Sequence, residues 1–242
     1  MARHLTIVTG ASRGMGQAIA AQLIEAGHEV LGISRKTSPE LKCEQWPQDL
    51  ARADVAAARL ETWLEDKASQ GWDSVTLINN AALLPKVGPL GNLGLQELSD
   101  AIRVDLEAPL LLTSSFLRAT QSWKAQRKVL NISSGLGRRA MASQTLYCAA
   151  KAGMDHFTRC VALEEAQRPN GAKVCSLAPG VIDTDMQVQL RTSDPSQFPD
   201  IGYFTGIKQQ GVLVSPEDAA KKVIAYLARS DFGTNAIGDI RD

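Results

Sequence analysis

What this chain has little of narrows its function before any motif is read. Only three of its 242 residues are histidine and four are cysteine (Cys43, Cys148, Cys160 and Cys175), and no two cysteines stand at C-x-x-C spacing. A structural zinc site needs four such ligands to converge, so no metal is expected. Lys plus Arg and Asp plus Glu both number 26, leaving no formal net charge. Nucleic-acid binders usually carry a basic footprint, so no nucleic-acid partner is expected. Apolar runs are short: Ala108–Leu112 at mid-chain falls far below the roughly 20 residues that span a bilayer, so no membrane partner is expected. Met1–Leu5 passes directly into a strand-like run, without the apolar stretch of a secretory leader. The expectation is a cytoplasmic protein with reduced thiols.

What is present is an alternation of aliphatic, β-branched runs with helical patterns. Leu5–Thr9, Glu29–Ser34, Ser74–Asn79, Val129–Ser133 and Lys173–Ala178 read as buried strands. Helices are predicted from about Met15 to Ala26, over 50–69, over Leu95–Trp123 with an interruption at Pro109, over Leu146–Gln167 and over Pro216–Ala228. Residues 183–215, with Pro195, Pro199, Gly202, Gly206 and Gly211, read as an irregular lid or binding loop. Strands alternating with helices predict an α/β fold, a parallel sheet covered on both faces through right-handed crossovers. No repeat, linker or composition break divides the chain, so one domain over 1–242 is expected.

Between the first strand and helix stands Thr9-Gly10-Ala11-Ser12-Arg13-Gly14-Met15-Gly16. Glycines let the backbone turn sharply against a ligand, and the helix N-terminus presents N–H groups to a phosphate. Alone, such a string is also an ordinary tight turn; its strand–turn–helix setting makes it a dinucleotide-binding turn. At the end of the second strand an acid would serve a ribose 2′-hydroxyl and a cation a 2′-phosphate. This chain has Ser34-Arg35-Lys36 there, with Arg13 as a second cation, so NADP(H) is expected; the plainer reading is a solvated basic pair. Asn79-Asn80-Ala81-Ala82 ends a strand where the ligand crevice lies, and its asparagines either cap the turn or touch the cofactor. Asp49-Leu50 either holds an adenine amino group or caps the following helix.

Ser133-Ser134 ends the next strand, and thirteen residues later comes Tyr147, with Lys151 at i+4. On a helix these two share a face. A buried ammonium near a phenol favours the phenolate and draws its pKa from about 10 toward neutrality. A tyrosine so tuned donates a proton to a forming alkoxide, or accepts one in reverse. By itself the pair is common helix packing. It acquires chemistry only beside the glycine turn and the strand-end serine.

Together Thr9–Gly16 (T-G-x-x-x-G-x-G), Asn79–Ala82 (close to N-N-A-G), Ser134, Tyr147-x-x-x-Lys151, and Pro179-Gly180 with Thr184 resemble the short-chain dehydrogenase/reductase family, in its order and over essentially the whole chain. The resemblance implies a single-domain Rossmann fold with a doubly wound seven-stranded parallel sheet, and a homo-oligomer, dimer or tetramer. It implies hydride transfer between NADP(H) and a carbonyl or alcohol carbon. Tyr147 would be the general acid/base, Lys151 would lower its pKa and hold the nicotinamide ribose, and Ser134 would orient the carbonyl oxygen. Cofactor contacts are implied at Gly10, Ser12, Arg13, Gly14, Met15, Gly16, Ser34, Arg35, Asp49, Leu50 and Asn80. They continue through Pro179, Gly180, Ile182, Thr184 and Met186, a stretch that would hold the nicotinamide amide.

Residues 162–187 and the tail FGTNAIGDIRD look like the sepiapterin reductase and benzil reductase group, and LINNAALLPKVGPL like its benzil branch. An aspartate near the C-terminus of sepiapterin reductases anchors the pterin; Asp239 matches it, or is a surface acid of the final strand. The chain departs from the family at Ala82, usually glycine, and at Asp105, usually asparagine. That asparagine works through its main-chain carbonyl, which holds a water against the lysine. Pro109 has no N–H for the carbonyl of Asp105, so the relay is expected to survive. An ionised Asp105 would instead raise the pKa of Lys151 and weaken its effect on Tyr147.

The reading is an NADPH-dependent reductase of a small-molecule ketone or dicarbonyl, benzil-like or sepiapterin-like. Met186, Leu190, Phe198, Tyr203, Phe204 and Val212 would wall the substrate or simply pack the loop. The alternatives are a 3-oxoacyl-thioester reductase and, from another class, a non-catalytic NADP(H)-sensing protein.

Overall fold

A computed structural model describes residues 2–242. Seven strands form one sheet: β1 His4–Thr9, β2 Glu29–Ser34, β3 Glu44–Pro47, β4 Ser74–Asn79, β5 Gln126–Ile132, β6 Lys173–Ala178 and β7 Ile237–Asp239. All pairings are parallel, in the order β3-β2-β1-β4-β5-β6-β7. The direction of winding reverses between β1 and β4. In open parallel sheets the crevice beyond the strand ends at such a reversal is where ligands bind. Eight helices cover the sheet: α1 Gly14–Glu25, α2 Ala53–Lys67, α3 Leu95–Ile102, α4 Ala108–Thr120, α5 Thr145–Ala166, α6 Asp185–Arg191, α7 Ile201–Gln209 and α8 Pro216–Ala228. Among the described residues no helix is long and apolar enough to cross a membrane.

The strands are aliphatic along their whole length because both faces are covered. Successive side chains alternate between two cores. Leu5, Ile7, Leu31, Ile33, Val75, Leu77 and Val129 pack with Leu60 and Leu64 of α2 and Leu112 and Phe116 of α4. Val8, Val30, Ile78, Leu130, Cys175 and Leu177 pack on the other face with Ile19 and Leu23 of α1 and Val223 of α8.

β3 is a short strand outside the aliphatic runs read from the sequence, and four further elements differ from their sequence expectation. β5 begins at Gln126, three residues earlier than the aliphatic run, because its charged residues find partners at the sheet end. Arg127 pairs with Glu165 at 3.2 Å, and Lys128 Nζ donates to the Leu227 carbonyl at 2.8 Å. The 50–69 pattern divides into a 3₁₀ turn at Leu50–Arg52 and α2, with a second 3₁₀ turn following. The 183–215 segment is not irregular, for it folds α6 and α7 around the prolines. Leu190, Phe204 and Ile207 supply the buried face, against Leu84, Val87 and Phe198.

The fourth is the Leu95–Trp123 helix, which divides at a wide turn over Arg103–Glu107, where the Ala108 N–H donates to the Arg103 carbonyl five residues back. Pro109 has no N–H with which to resume the ladder at the carbonyl of Asp105. The widened turn presses Leu106 against α5 so closely that a Cβ on Gly153 would lie 3.0 Å from Leu106 Cδ2.

Candidate active site

The glycine turn is held by hydrogen bonds between β1 and the end of β4. Thr9 Oγ1 accepts from the N–H groups of Asn80 at 2.9 Å and Ala81 at 3.0 Å, and Asn80 Nδ2 donates to the Thr9 carbonyl at 2.9 Å. Gly10 sits at φ +69°, where a Cβ would lie 2.9 Å from Ala81 Cα. Asn80 thus braces the turn. Asn79 faces inward, donating to Asn131 at 2.8 Å and Thr113 at 3.2 Å, and so serves neither of the roles expected of it.

The first turn of α1 has neither a side-chain cap nor an acidic residue, so its N–H groups are left for an anion. Gly14, at φ +57°, leaves the approach bare, with only the Thr184 methyl 3.6 Å from where its Cβ would stand. Met15 buries its side chain in the core beneath, which leaves its backbone on the crevice side. Ser12 lies in the same turn. These features fit a dinucleotide phosphate.

The two expected cations differ. Arg35 is exposed just beyond β2, where Ser34 Oγ turns to the Lys36 carbonyl at 3.1 Å. Arg13 pairs across the crevice with Asp185 at the start of α6, at 2.5 Å. Asp49 accepts from the Ala51 N–H at 3.0 Å, which gives it the capping geometry, and Leu50 is buried in the core below.

Beyond β5, Ser134 Oγ accepts from the Leu136 N–H at 3.1 Å and so shapes the turn Gly135–Gly137. A Cβ on Gly137 would lie 2.9 Å from the Lys151 carbonyl, so only a glycine lets this turn rest on α5. α5 carries Tyr147 and Lys151. Lys151 is 2 % exposed, and its Nζ donates to the Ile132 carbonyl at 2.8 Å while standing 5.7 Å from the Tyr147 ring centre. Burial lowers its pKa, and the carboxylates of Asp105 and Asp155 oppose that.

Asp105 lies in the wide turn opposite, 1 % exposed. Its Oδ1 accepts from the Leu83 N–H at 2.6 Å, and its Oδ2 is buried without a partner. Burial pushes its pKa up to about 6, against the pull of Lys151 and of the Leu83 N–H.

Lys151 is expected to lower the pKa of Tyr147, and other groups act against that. Desolvation and then the Asp105 carboxylate push Tyr147 well above its ordinary value, and the nearby Ser134 hydroxyl pulls only partly back. The ammonium that was to lower it is directed at a backbone carbonyl.

Asp239 is 8 % exposed, and Arg241 grips both its oxygens at 2.7 and 2.6 Å, which holds its carboxyl well below the usual range. Arg138 stands 3.9 Å away and continues to Asp155 at 3.2 Å, whose other oxygen accepts from Ser176 at 2.6 Å. The partners of Asp239 therefore come from an ion-pair network joining β7 to α5, and none is Ser134 or Tyr147.

Beside Tyr147 the lid closes an apolar cluster. Leu84, Val87, Leu190, Phe198 and Phe204 form it, with Met141, Val181 and Met186 packed against it. Phe198 is fully buried and packs the loop, whereas Tyr203 and Val212 are exposed. Pro179 and Gly180 follow β6, and Ile182 bridges to Val214 at the lid's base. Polar contacts hold the lid closed: Gln189 Nε2 donates to the Leu84 and Pro85 carbonyls, Asn92 donates to Gln197 Oε1, and Ser143 Oγ donates to the Gln197 carbonyl. Sequence reasoning missed Ser143, Gln189 and Gln197, since their partners are mostly backbone carbonyls; the one signal, for Gln189 and Gln197 alone, was their lying in the 183–215 segment with its prolines.

A doubly wound parallel sheet, a bare phosphate turn at its switch point and a Ser-Tyr-Lys group beyond the strand ends, half-buried at Ser134 and Tyr147 and buried at Lys151, define a nucleotide-dependent oxidoreductase architecture. The chain belongs to the short chain dehydrogenase family, whose model matches residues 4–195. It is 34 % identical over 235 residues to a benzil reductase ((S)-benzoin forming) of Bacillus cereus, covering 93 % of this chain and 94 % of that one. It is 32 % identical over 256 residues to the sepiapterin reductase of Mus musculus, covering 98 % and 96 %. A metagenomic short-chain oxidoreductase solved in complex with NADP superposes with a TM-score of 0.71 at 27 % identity, covering 98 % of this chain and 95 % of that one.

Proposed function

We propose that the protein is an NADPH-dependent carbonyl reductase acting on a ketone or dicarbonyl, with Tyr147 as proton donor. One observation carries the reading: Tyr147 lies on α5 with the hydroxyl of Ser134 beside it and the apolar lid cluster against its ring. A nicotinamide held at this crevice would supply the hydride. Ser134 orients the substrate oxygen, and Tyr147 gives it the proton. Lys151, buried and aimed at the Ile132 carbonyl, would hold the nicotinamide ribose. The apolar wall excludes water and suits an aromatic or pterin-like carbonyl compound, in keeping with the names of the benzil and sepiapterin reductases the chain is similar to.

NADP(H) is favoured over NAD(H) by Arg35 and by the lack of an acid at the end of β2. Arg13 would reach the same phosphate by releasing Asp185. We propose a homo-oligomer formed through the face of α4 and α5, where a cleft of about 370 Å³ is lined by Leu110, Leu117, Phe157 and Val161 and rimmed by Arg118 and Glu164. Light scattering distinguishes it from a monomer.

The test follows NADPH and NADH oxidation with benzil, a pterin dione and an acetoacetyl thioester. Turnover of a dicarbonyl with NADPH preferred supports the reading; preference for the thioester supports acyl-thioester reduction. Cofactor binding without turnover of any carbonyl supports the sensing alternative. Tyr147→Phe is expected to lower turnover by about 10²-fold or more while cofactor binding persists. Retained turnover refutes the assigned role.

A further inference from the structure

Among the described residues Ser143 is the one non-glycine residue at positive φ, at +62°. The left-handed region crowds a side chain, and a residue stays there only where its surroundings hold it. Two segments distant in sequence hold Ser143. Its backbone carbonyl accepts from the Gly88 N–H at 3.2 Å, in the segment that follows β4. Its hydroxyl donates to the Gln197 carbonyl at 2.6 Å, in the lid. Gly88 and Gln197 are themselves neighbours, since a Cβ on Gly88 would lie 3.9 Å from Gln197 Cβ. Asn92 completes the ring of contacts by donating to Gln197 Oε1 at 2.7 Å. On its other side Ser143 leads into α5, which begins at Thr145 and carries Tyr147 in its first turn.

The residue type is informative. Every other positive-φ residue among those described is glycine, which takes such angles without cost. A turn that only had to be fixed would be served by glycine here too. Serine accepts the crowding and adds one thing, the hydroxyl that reaches the lid.

We infer that Ser143 is a strained latch, a positioning residue through which closure of the lid fixes the start of α5 and with it Tyr147. In the closed lid, Phe198 beside Gln197 is fully buried in the apolar cluster that packs against Tyr147. Seating Phe198 brings the Gln197 carbonyl onto the Ser143 hydroxyl, and the bond holds the serine left-handed. Lifting residues 194–200 breaks that bond. Ser143 then relaxes to an ordinary φ, which swings the chain entering α5 and favours the open lid. An apolar carbonyl compound under the lid favours closure, so substrate and latch act together. The bearing on turnover rests on the reading of Tyr147 as proton donor; the latch itself does not.

The remaining ties of the lid leave this bond its place. Gln189 holds α6 to the Leu84 and Pro85 carbonyls and does not touch the segment before α5. Arg139 stands 6.0 Å over the Tyr203 ring of α7, at an exposed surface where such a contact is weak.

The experiment follows amide hydrogen exchange over residues 194–209 in wild type, Ser143→Ala and Ser143→Gly. Alanine keeps the crowding and loses the bond, so its lid amides are expected to exchange about three- to tenfold faster. Glycine loses both the bond and the strain, so its lid should exchange at a rate between those of wild type and alanine. The amides of Ile7 and Leu77 in the sheet should not change. The KM of the carbonyl substrate should rise by a similar factor while kcat does not fall and the Kd of NADPH is unmoved. A merely structural lesion would speed exchange in the sheet and lower kcat. Lid amides that exchange at the wild-type rate in both variants overturn the inference, and so does a glycine variant that exchanges as fast as alanine. Should the alanine variant not fold, glycine alone decides, with a wild-type rate overturning the latch. If Tyr147→Phe keeps its turnover, the parent reading fails while the exchange result stands.

Discussion

Replacing Gly16 with alanine tests whether the glycine turn is a ligand cradle or only a bend. A Cβ there would stand 2.3 Å from Asn80 Nδ2 and 2.3 Å from the Gly10 carbonyl oxygen. The asparagine side chain can turn aside, but only by giving up its bond to the Thr9 carbonyl. The Gly10 oxygen cannot, because the Gly10 N–H is bonded to the Ile33 carbonyl at 2.7 Å and the residue is already at positive φ. The turn must therefore open. Overpacking of this kind costs about 1–3 kcal/mol. In a chain of this size each kcal/mol moves the thermal midpoint by about 2–4 °C, so a fall of roughly 2–12 °C is expected. The ligand effect is the sharper readout. A cofactor at a hundred times its Kd adds about 2.7 kcal/mol to wild-type stability, and an opened turn should lose most of that gain. Melting both proteins with and without NADPH measures both quantities. Gly206→Ala in α7 is the control, since nothing lies within 4 Å of its added Cβ and alanine favours a helix. If Gly16→Ala melts like wild type and gains as much from NADPH, the cradle is refuted.

At the opposite end of the sheet, burial and then the charge of the stacked His4 ring hold the His28 pKa below 6.5. A depressed histidine favours the neutral folded form, so its contribution is complete above pH 6.5 and is lost as pH falls through and below that value. Thermal melts between pH 7.5 and 5.5 should show a slope that His28→Gln flattens; equal slopes would refute the assignment. Glu165→Gln should destabilise by about 3 kcal/mol, because it leaves Arg127 buried without its carboxylate partner. Urea unfolding reads this, and a change below about 1 kcal/mol would show the pair to be dispensable.

The legible parts of this chain are those in which sequence position and spatial position coincide. Ile7 and Leu77 on one face and Val8 and Ile78 on the other announce a doubly covered sheet, because successive residues are buried whichever face they take. Tyr147 and Lys151 announce a shared helix face because i+4 spacing guarantees one. The lid helices were hidden because α6 and α7 have only seven and nine residues between breakers, too short to reveal a period, and draw their stability from distant Leu84, Val87 and Phe198. The pairing of Arg13 with Asp185 spans 172 positions and follows from no local pattern.

The same reasoning separates what spacing says about Tyr147 and Lys151 from what the fold adds. A lysine one turn away is an observation about spacing, but its electrostatic effect depends on where the ammonium points. Here it points to the carbonyl of Ile132, an acceptor that every residue possesses and no sequence can single out. A carboxylate in place of an amide, by contrast, changes the charge whatever its orientation. Burial then amplifies that change, since the turn forced by Pro109 encloses Asp105. The spacing of Tyr147 and Lys151 is therefore legible in the sequence, whereas the direction of the ammonium and the enclosure of Asp105 belong to the folded chain.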